Sequence, residues 1–551
     1  MTSSVPSPRR LGPRAQLDLT PDRLAPPVLI LVAVVSAAFI YHQTRGSSFS
    51  PDDLAWISTR RGDNVGTFLA PYNGHLSLIP IAIYRVMFAV EGIGSFAPYR
   101  VLLAVVATLA GLVFFEYAHH RVGAFCALLL TTLLLFLGPG WNDIMQPFQI
   151  GWLIAVGGGV LALSLLDRRG LGTDLVACMA LLVAVCATSV GVALLVGAAV
   201  DVALARRRWR DAWIAGVPLV LYVAWALHYH ASTIAGSALT EAPLNLLQTT
   251  AAAVAGVVGL SAVTPTDLTG VMLTFGVSLL ALAAVVVIIR LPAGWDGTRF
   301  ISLAVALVVF SLLTTLVRSF QSPFESRYMY VTCVLVALLA VELVRGVPVS
   351  PRMQVVLATL TLAAVISDLS DLRSGGAEFR QLGAQTDATL GAVALDRGRV
   401  APGQALTQLP LNGVGFDFTA GDYFSAEAHS GHPRTPSPSC STHPLPLSAA
   451  PTPSCWPTMT SGSPRRPHRR RRAAPPPPSR ATAPGASRAT APACASVRRR
   501  RSHRGRRAQS PCAWGPAGCW SATRRRSRWR PGGSRRPPLR SGRSARGGRA
   551  S

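Results

Sequence analysis

Eleven apolar stretches, each with at most two charged residues, run through the first two thirds of the chain: 24–44, 99–118, 122–138, 148–166, 171–188, 190–205, 212–230, 268–289, 300–317, 328–344 and 353–368. A helix of about 20 such residues crosses roughly 30 Å of hydrocarbon. Backbone that enters lipid must satisfy its hydrogen bonds within its own segment, which leaves helices or closed barrels. The period and length of these runs therefore predict an all-α polytopic membrane protein with about eleven transmembrane helices. Half of the 551 residues are hydrophobic and only 14% are charged, too sparse a charge for soluble domains of this length.

A formal net charge of +28 would ordinarily suggest a nucleic-acid partner. The charge is not spread evenly. Residues 431–551 carry 27 of the 53 arginines and no Asp or Glu, so the preceding 430 residues hold 26 arginines against 25 acids and are nearly neutral. A basic field confined to one tail gives no reason to expect specific nucleic-acid binding by the body. The chain has no lysine at all, the usage expected of a high-GC bacterial genome.

Arginine placement sets the expected topology, because short cytoplasmic loops retain Arg. The clusters Arg9 to Arg23, Arg121, Arg168 and Arg169, Arg206 to Arg210, Arg290 and Arg299, and Arg345 and Arg352 can all be put on one side. This requires residues 171–205 to be two short passes broken near Thr188-Ser189-Val190-Gly191. It makes 75–91 an interfacial helix on the outer face and 242–264 re-entrant or interfacial. The expected arrangement is a cytoplasmic N-terminal tail (1–23), a membrane domain (24–368), an extracytoplasmic segment (369–430) and an Arg/Pro-rich tail (431–551). Large outer loops at 43–98 and 231–267 would hold any chemistry. The tail cannot bury a core and is expected to be disordered. Its five Cys and four Trp fit better with a GC-rich gene read out of frame after a shift near Ser430 than with a natural basic tail.

Nine cysteines show no metal-ligand spacing with nearby His, and no phosphate-binding or dinucleotide fingerprint is present. The first outer loop contains Ser50-Pro51-Asp52-Asp53-Leu54-Ala55-Trp56 and then Pro71-Tyr72-Asn73-Gly74-His75. Adjacent carboxylates at a bilayer edge can act as a general base toward a hydroxyl or hold a divalent cation against a phosphate. The same residues also make an ordinary helix start, with acids in the first turn. Glu325-Ser326-Arg327-Tyr328-Met329-Tyr330 opens a late span with an arginine on the outer side, against the general trend. Its planar fork suits two phosphate oxygens; snorkelling to lipid headgroups is the alternative. Trp141-Asn142-Asp143, with Gln146 to Gln149 following, offers an aromatic face and hydrogen-bonding groups, equally consistent with a sugar site or an aromatic belt.

In order and placement these motifs resemble the C-type glycosyltransferase fold, in particular the polytopic protein-mannosyltransferase and aminoarabinose-transferase-like group. The likeness covers roughly residues 24–345: a span, an acidic outer loop at Asp52-Asp53, an interfacial stretch from His75 to Val90, a second span opening at Tyr99-Arg100-Val101-Leu102, and Arg327-Tyr328 late in the chain. The resemblance implies transfer of a sugar from a polyprenyl-phosphate donor, within membrane lipid, to a hydroxyl on a glycan, lipid or protein acceptor at the outer face. Asp52 or Asp53 would be the base. His75, Arg85, Trp141, Asn142, Arg327 and Tyr328 would bind substrate. Many relatives carry Glu-Lys-Pro-Pro where this chain has Asn73-Gly74-His75, so the lysine expected at the lipid phosphate is absent, and His75 or Arg85 would have to substitute. A secondary transporter or flippase, or a noncatalytic scaffold of the same fold, are the competing classes.

Overall fold

A computed structural model describes residues 21–168, 170–204, 208–230, 240–260, 267–290, 292, 295–317, 324–407, 409 and 418–430. The tail from 431 onward lies outside the described residues. The described chain is helical: α1 (Pro21–Gln43), α2 (Pro51–Thr59), α3 (Val65–Leu69), α4 (Leu78–Val90), α5 (Ala97–Leu135), α6 (Trp141–Met145), α7 (Ile150–Leu165), α8 (Leu171–Ala187), α9 (Val190–Leu204), α10 (Arg208–Tyr229), α11 (Ala242–Val257), α12 (Asp267–Arg290), α13 (Thr298–Val317), α14 (Ser326–Leu343), α15 (Pro351–Leu395) and α16 (Ala420–Ser430). Among the described residues the only β pairing is two isolated bridges, Tyr72 with His75 and Ala405 with Thr419. Among the described residues eight helices are long and apolar enough to cross a membrane, with shorter apolar helices at 78–90, 171–187 and 190–204. The protein is a polytopic helical membrane protein.

The predicted stretches 99–118 and 122–138 both fall in α5, which the backbone breaks at Gly123 (φ +78°). A left-handed residue is cheap only for glycine. Beyond it the chain folds back, because Gly111, twelve residues before the break, lies against the Leu135 side chain, twelve residues after it. In a straight helix these positions would be about 36 Å apart. Likewise α8 and α9 turn back at extended Thr188, and Gly191 sits so close to the Ala184 backbone that no side chain fits there. At 17 and 15 residues they are about 25 and 22 Å long, two helices broken where the sequence reading put the break. The 13 residues of α4, about 20 Å, are too few to span.

One end of the bundle gathers the arginines. Arg121 pairs with Glu342 and Asp167; Arg299 pairs with Asp167 at 2.8 Å and Asp201 at 3.1 Å; Arg168 reaches Glu116 at 2.7 Å. Arg290 donates to the carbonyls of Leu343 and Arg345. Ser326, at the other end of α14, is 16 residues from Glu342, about 24 Å away. The acidic loop and Arg327 lie at that second end.

The last helix does not end near residue 368. α15 runs unbroken for 45 residues, about 67 Å, more than twice the hydrocarbon thickness, so part of it must lie outside the hydrocarbon. Residues 369–395 therefore continue, as one helix, the stretch expected to be the final span. The stretch expected to be re-entrant or interfacial is helix α11 as far as Val257, packed so that Gly256 abuts Pro139 and Ala253 meets Cys333 of α14.

Candidate functional site

Ser50-Pro51-Asp52-Asp53 starts α2 as a full capping box. The Asp53 amide donates to Ser50 Oγ at 3.3 Å, while the Ser50 amide and hydroxyl each donate to Asp53 Oδ2 at 2.7 Å. Asp53 is completely buried, and its Oδ1 makes no bond of ordinary geometry, the Tyr84 hydroxyl being the nearby donor. Burial is the main cause that pushes its carboxyl up to about 6, with the Ser50 bonds and Tyr84 pulling it down. Asp53 is therefore a cap, enclosed and out of reach of a substrate.

Asp52, the next residue along, turns out of the box and is half-buried. It accepts a 2.7 Å hydrogen bond from the Tyr72 hydroxyl. Asn73 and Gly74 both have positive φ (+50° and +79°) within the Tyr72–His75 bridge, the geometry of a type I′ turn. The Asn73-Gly74-His75 motif is thus a tight turn that aims Tyr72 at Asp52. An aromatic cluster fixes α2 beneath it. The Trp56 ring packs on Phe148 at 4.5 Å, Tyr84 at 5.1 Å and Tyr72 at 5.6 Å.

Arg327 stands at the first turn of α14, its guanidinium gripping Glu325 through Nε at 2.7 Å and Nη2 at 2.5 Å. Both Asp52 and Asp143 lie within electrostatic reach of it. Asp143 of α6 is fully buried, and neither of its oxygens has a partner of ordinary geometry. Burial holds its carboxyl well above the usual range, with the Arg327 charge pulling the other way. The α6 loop is tied to α14 by Ser326, whose hydroxyl accepts from the Asn142 amide at 3.0 Å and donates to the Pro139 carbonyl at 2.7 Å. Asn142 Oδ1 accepts from Gln149 at 3.2 Å.

Asp52, Tyr72, Asn142, Asp143 and Arg327 thus share one end of the bundle. Several expected ligands are engaged elsewhere. Arg85 donates to the carbonyls of Arg60 and Arg61 and pairs with Asp63, at the far end of α2 from Asp52. His75 is half-buried and closes the turn through its backbone. The Trp141 ring faces away, against Gly375 and edge-on to Phe379 at 5.1 Å. Tyr328 is buried beside Trp152, ring centres 5.9 Å apart, so it supports Arg327 from below instead of bordering a lipid chain. No group of three or more His, Cys, Asp or Glu placed to hold a metal occurs among the described residues. Sequence reading missed Tyr72, Asp143 and Glu325 as members of the site. All three lie in motifs the sequence singled out, Tyr72 beside the Asn73-Gly74 turn, Asp143 after Trp141-Asn142 and Glu325 before Arg327, but none was assigned a role there.

No protein-family model matches the sequence, and no curated protein does. Among solved structures, the chain is similar to ArnT from Cupriavidus metallidurans, crystallised bound to undecaprenyl phosphate. The likeness has 16% identity, covers 73% of this chain and 85% of that one, and has a TM-score of 0.46.

The Asp53 cap predicts a pH dependence. A carboxyl raised from 3.8 in the open chain to about 6 in the fold binds its proton more tightly when folded. Its penalty is absent below pH 4, develops between pH 4 and 6, and is complete above that. The full span corresponds to about 3 kcal/mol. Thermal unfolding followed from pH 7 to 5 should show this stabilising slope in wild type and a flatter one in Asp53→Asn. Equal slopes in the two proteins would remove Asp53 as its source.

Proposed function

We propose that the protein transfers a sugar from a polyprenyl-phosphate donor to an acceptor hydroxyl, at the end of the bundle opposite the arginine clusters. By the positive-inside tendency that end faces away from the cytoplasm, with the N-terminus inside and the C-terminus outside. The reading is carried by one observation: a half-buried carboxylate, Asp52, held by the Tyr72 hydroxyl, stands at the same end of the bundle as the arginine fork of Arg327 and within electrostatic reach of it. A base and a phosphate-binding cation are the two groups this displacement needs. Asp52 takes the proton of the acceptor hydroxyl as that oxygen attacks the anomeric carbon, and Arg327 holds the departing lipid phosphate. Asp143, enclosed like Asp53, lies within the electrostatic reach of Arg327 from inside the protein and makes no contact with the donor.

The fork is occupied by Glu325, which a phosphate must displace. Arg327→Ala should therefore weaken donor binding by about ten- to a hundredfold, the worth of roughly 1.5–3 kcal/mol for a charge-assisted pair. Arg327→Lys should lose less, since it keeps charge without the fork. Glu325→Gln should tighten binding by releasing the fork. The measurement is a transfer and binding assay with a panel of polyprenyl-phosphate sugars in lipid nanodiscs. Turnover of none of them would sink the proposal. Donor affinity within about twofold of wild type in Arg327→Ala would leave that residue as a headgroup anchor.

A further inference from the structure

The half of α15 beyond residue 368 touches both loops that carry the candidate acids. One face meets the linker between α1 and α2. Arg380 Nη1 donates at 2.5 Å to the Gln43 carbonyl, the last of α1, while its aliphatic stem lies 3.7 Å from where a Gly46 side chain would begin. A cation on a helix C-terminal carbonyl satisfies an otherwise open acceptor and complements the helix dipole. One turn further on, a side chain at Gly383 would start 2.6 Å from the Gly46 carbonyl and 2.7 Å from the Ser48 nitrogen, so the two backbones are in contact. Ser48 Oγ then donates to Asp387 at 2.6 Å. From Ser48 the chain has only Phe49, buried against Phe96 and Tyr99, before Ser50 caps α2.

The adjacent face meets the other loop. Gly375 lies flat against the Trp141 ring, and Phe379 closes its edge at 5.1 Å. Trp141 is the first residue of α6, two before Asp143. Residues 375–379 and 376–387 are therefore two sides of one continuous helix, each pinned to a different loop. Rigid helix separates the two contacts, so the loops cannot drift independently.

We propose that residues 375–387 of α15 form a positioning strut, with Arg380 and Phe379 its two fixing points, that holds the Asp52 loop and the Asp143 loop at a set separation across Arg327. The proposal rests on the catalytic reading above for its purpose, though not for its mechanics. Neither residue touches the reacting groups; each acts through the loop it anchors. Trp141, read from sequence as a sugar platform, is here the handle by which α15 grips its loop.

The test uses the full chain in nanodiscs and two readouts. Hydrogen exchange should rise about tenfold for amides of 43–50 in Arg380→Ala and of 138–146 in Phe379→Ala, each variant loosening only its own loop. Turnover should fall in both by on the order of 10²-fold, with the donor KM nearly unchanged, since misplacing a reacting group costs kcat rather than binding. Arg380→Lys keeps the cation on Gln43 and should recover most of both. Exchange unchanged in both loops overturns the strut. Raised exchange with wild-type kcat overturns the positioning role and leaves a packing contact. If wild type itself transfers no sugar, the catalytic reading has failed, and the strut stands or falls on the two-loop exchange pattern alone.

Discussion

Asp52→Asn should lower sugar transfer by 10²- to 10⁴-fold, the usual cost of losing a general base, with expression and thermal stability close to wild type. The neighbouring Asp53→Asn should leave the rate within a few fold. The two carboxylates are adjacent in sequence and nearly opposite in environment. Asp53 is enclosed, spending one oxygen on the Ser50 amide and hydroxyl. Asp52 is half-buried, oriented by the Tyr72 hydroxyl and within electrostatic reach of the Arg327 guanidinium. Asparagine at 52 keeps the shape and can still accept from Tyr72, so the only chemical loss is the base. Tyr72→Phe should give a smaller loss in kcat, because it frees Asp52 to turn without removing it. If both Asp variants turn over at the wild-type rate, α2 is only a well-capped helix and the catalytic assignment goes with it. If Asp53→Asn alone abolishes transfer while the protein remains folded, the roles given to the pair are reversed.

The contrast within this pair marks what sequence can and cannot convey. That residues 50–53 start a helix and place acids at a membrane edge is local information, written in a Ser-Pro-Asp-Asp string and in the apolar runs either side. Which acid is enclosed is decided by Tyr84 of α4, which comes beside Asp53 and packs on the Trp56 ring, a contact set by how α2 meets α4. The spans were legible for the same reason: their period and length act within each segment. The division of α5 was signalled by Arg121 and Gly123, although the sharpness of the return, which brings Leu135 onto Gly111, was not. Trp141 was misplaced because its partners lie more than 230 residues away in α15, and the charges after residue 368 suggested that the span had ended. Asp368 and Asp371 are in fact buried on α15 where it passes Gly138. A helix leaving the membrane can carry charges on a face that packs against protein, and composition alone does not separate that case from a solvent-exposed segment.

Breaking the ion network at the arginine end should be the most damaging change to the fold. Glu342 is 1% exposed and accepts from Tyr117 at 2.5 Å and from Arg121; Arg121 also pairs with Asp167, which Arg299 shares before reaching Asp201. Five elements meet there: the first half of α5, the end of α7, α9, α13 and α14. Arg121→Ala removes the centre and leaves Glu342 enclosed with Tyr117 and a distant Arg345, 3.7 Å away from its other oxygen. Removing one partner of a buried pair costs about 3–5 kcal/mol, mostly the penalty of the charge left behind. That accounting predicts a sign for the double variant: Arg121→Met with Glu342→Met takes away both charges and should be more stable than Arg121→Ala, even though more native groups are gone. Unfolding in mixed detergent micelles at increasing denaturing-detergent fraction would rank the three proteins. A double variant weaker than the single would mean that the network holds these helices by attraction beyond the cost of burying its charges. Because the site lies about 24 Å along α14 from Glu342, the folded fraction of each variant should keep wild-type donor affinity, which separates a loss of fold from a loss of site.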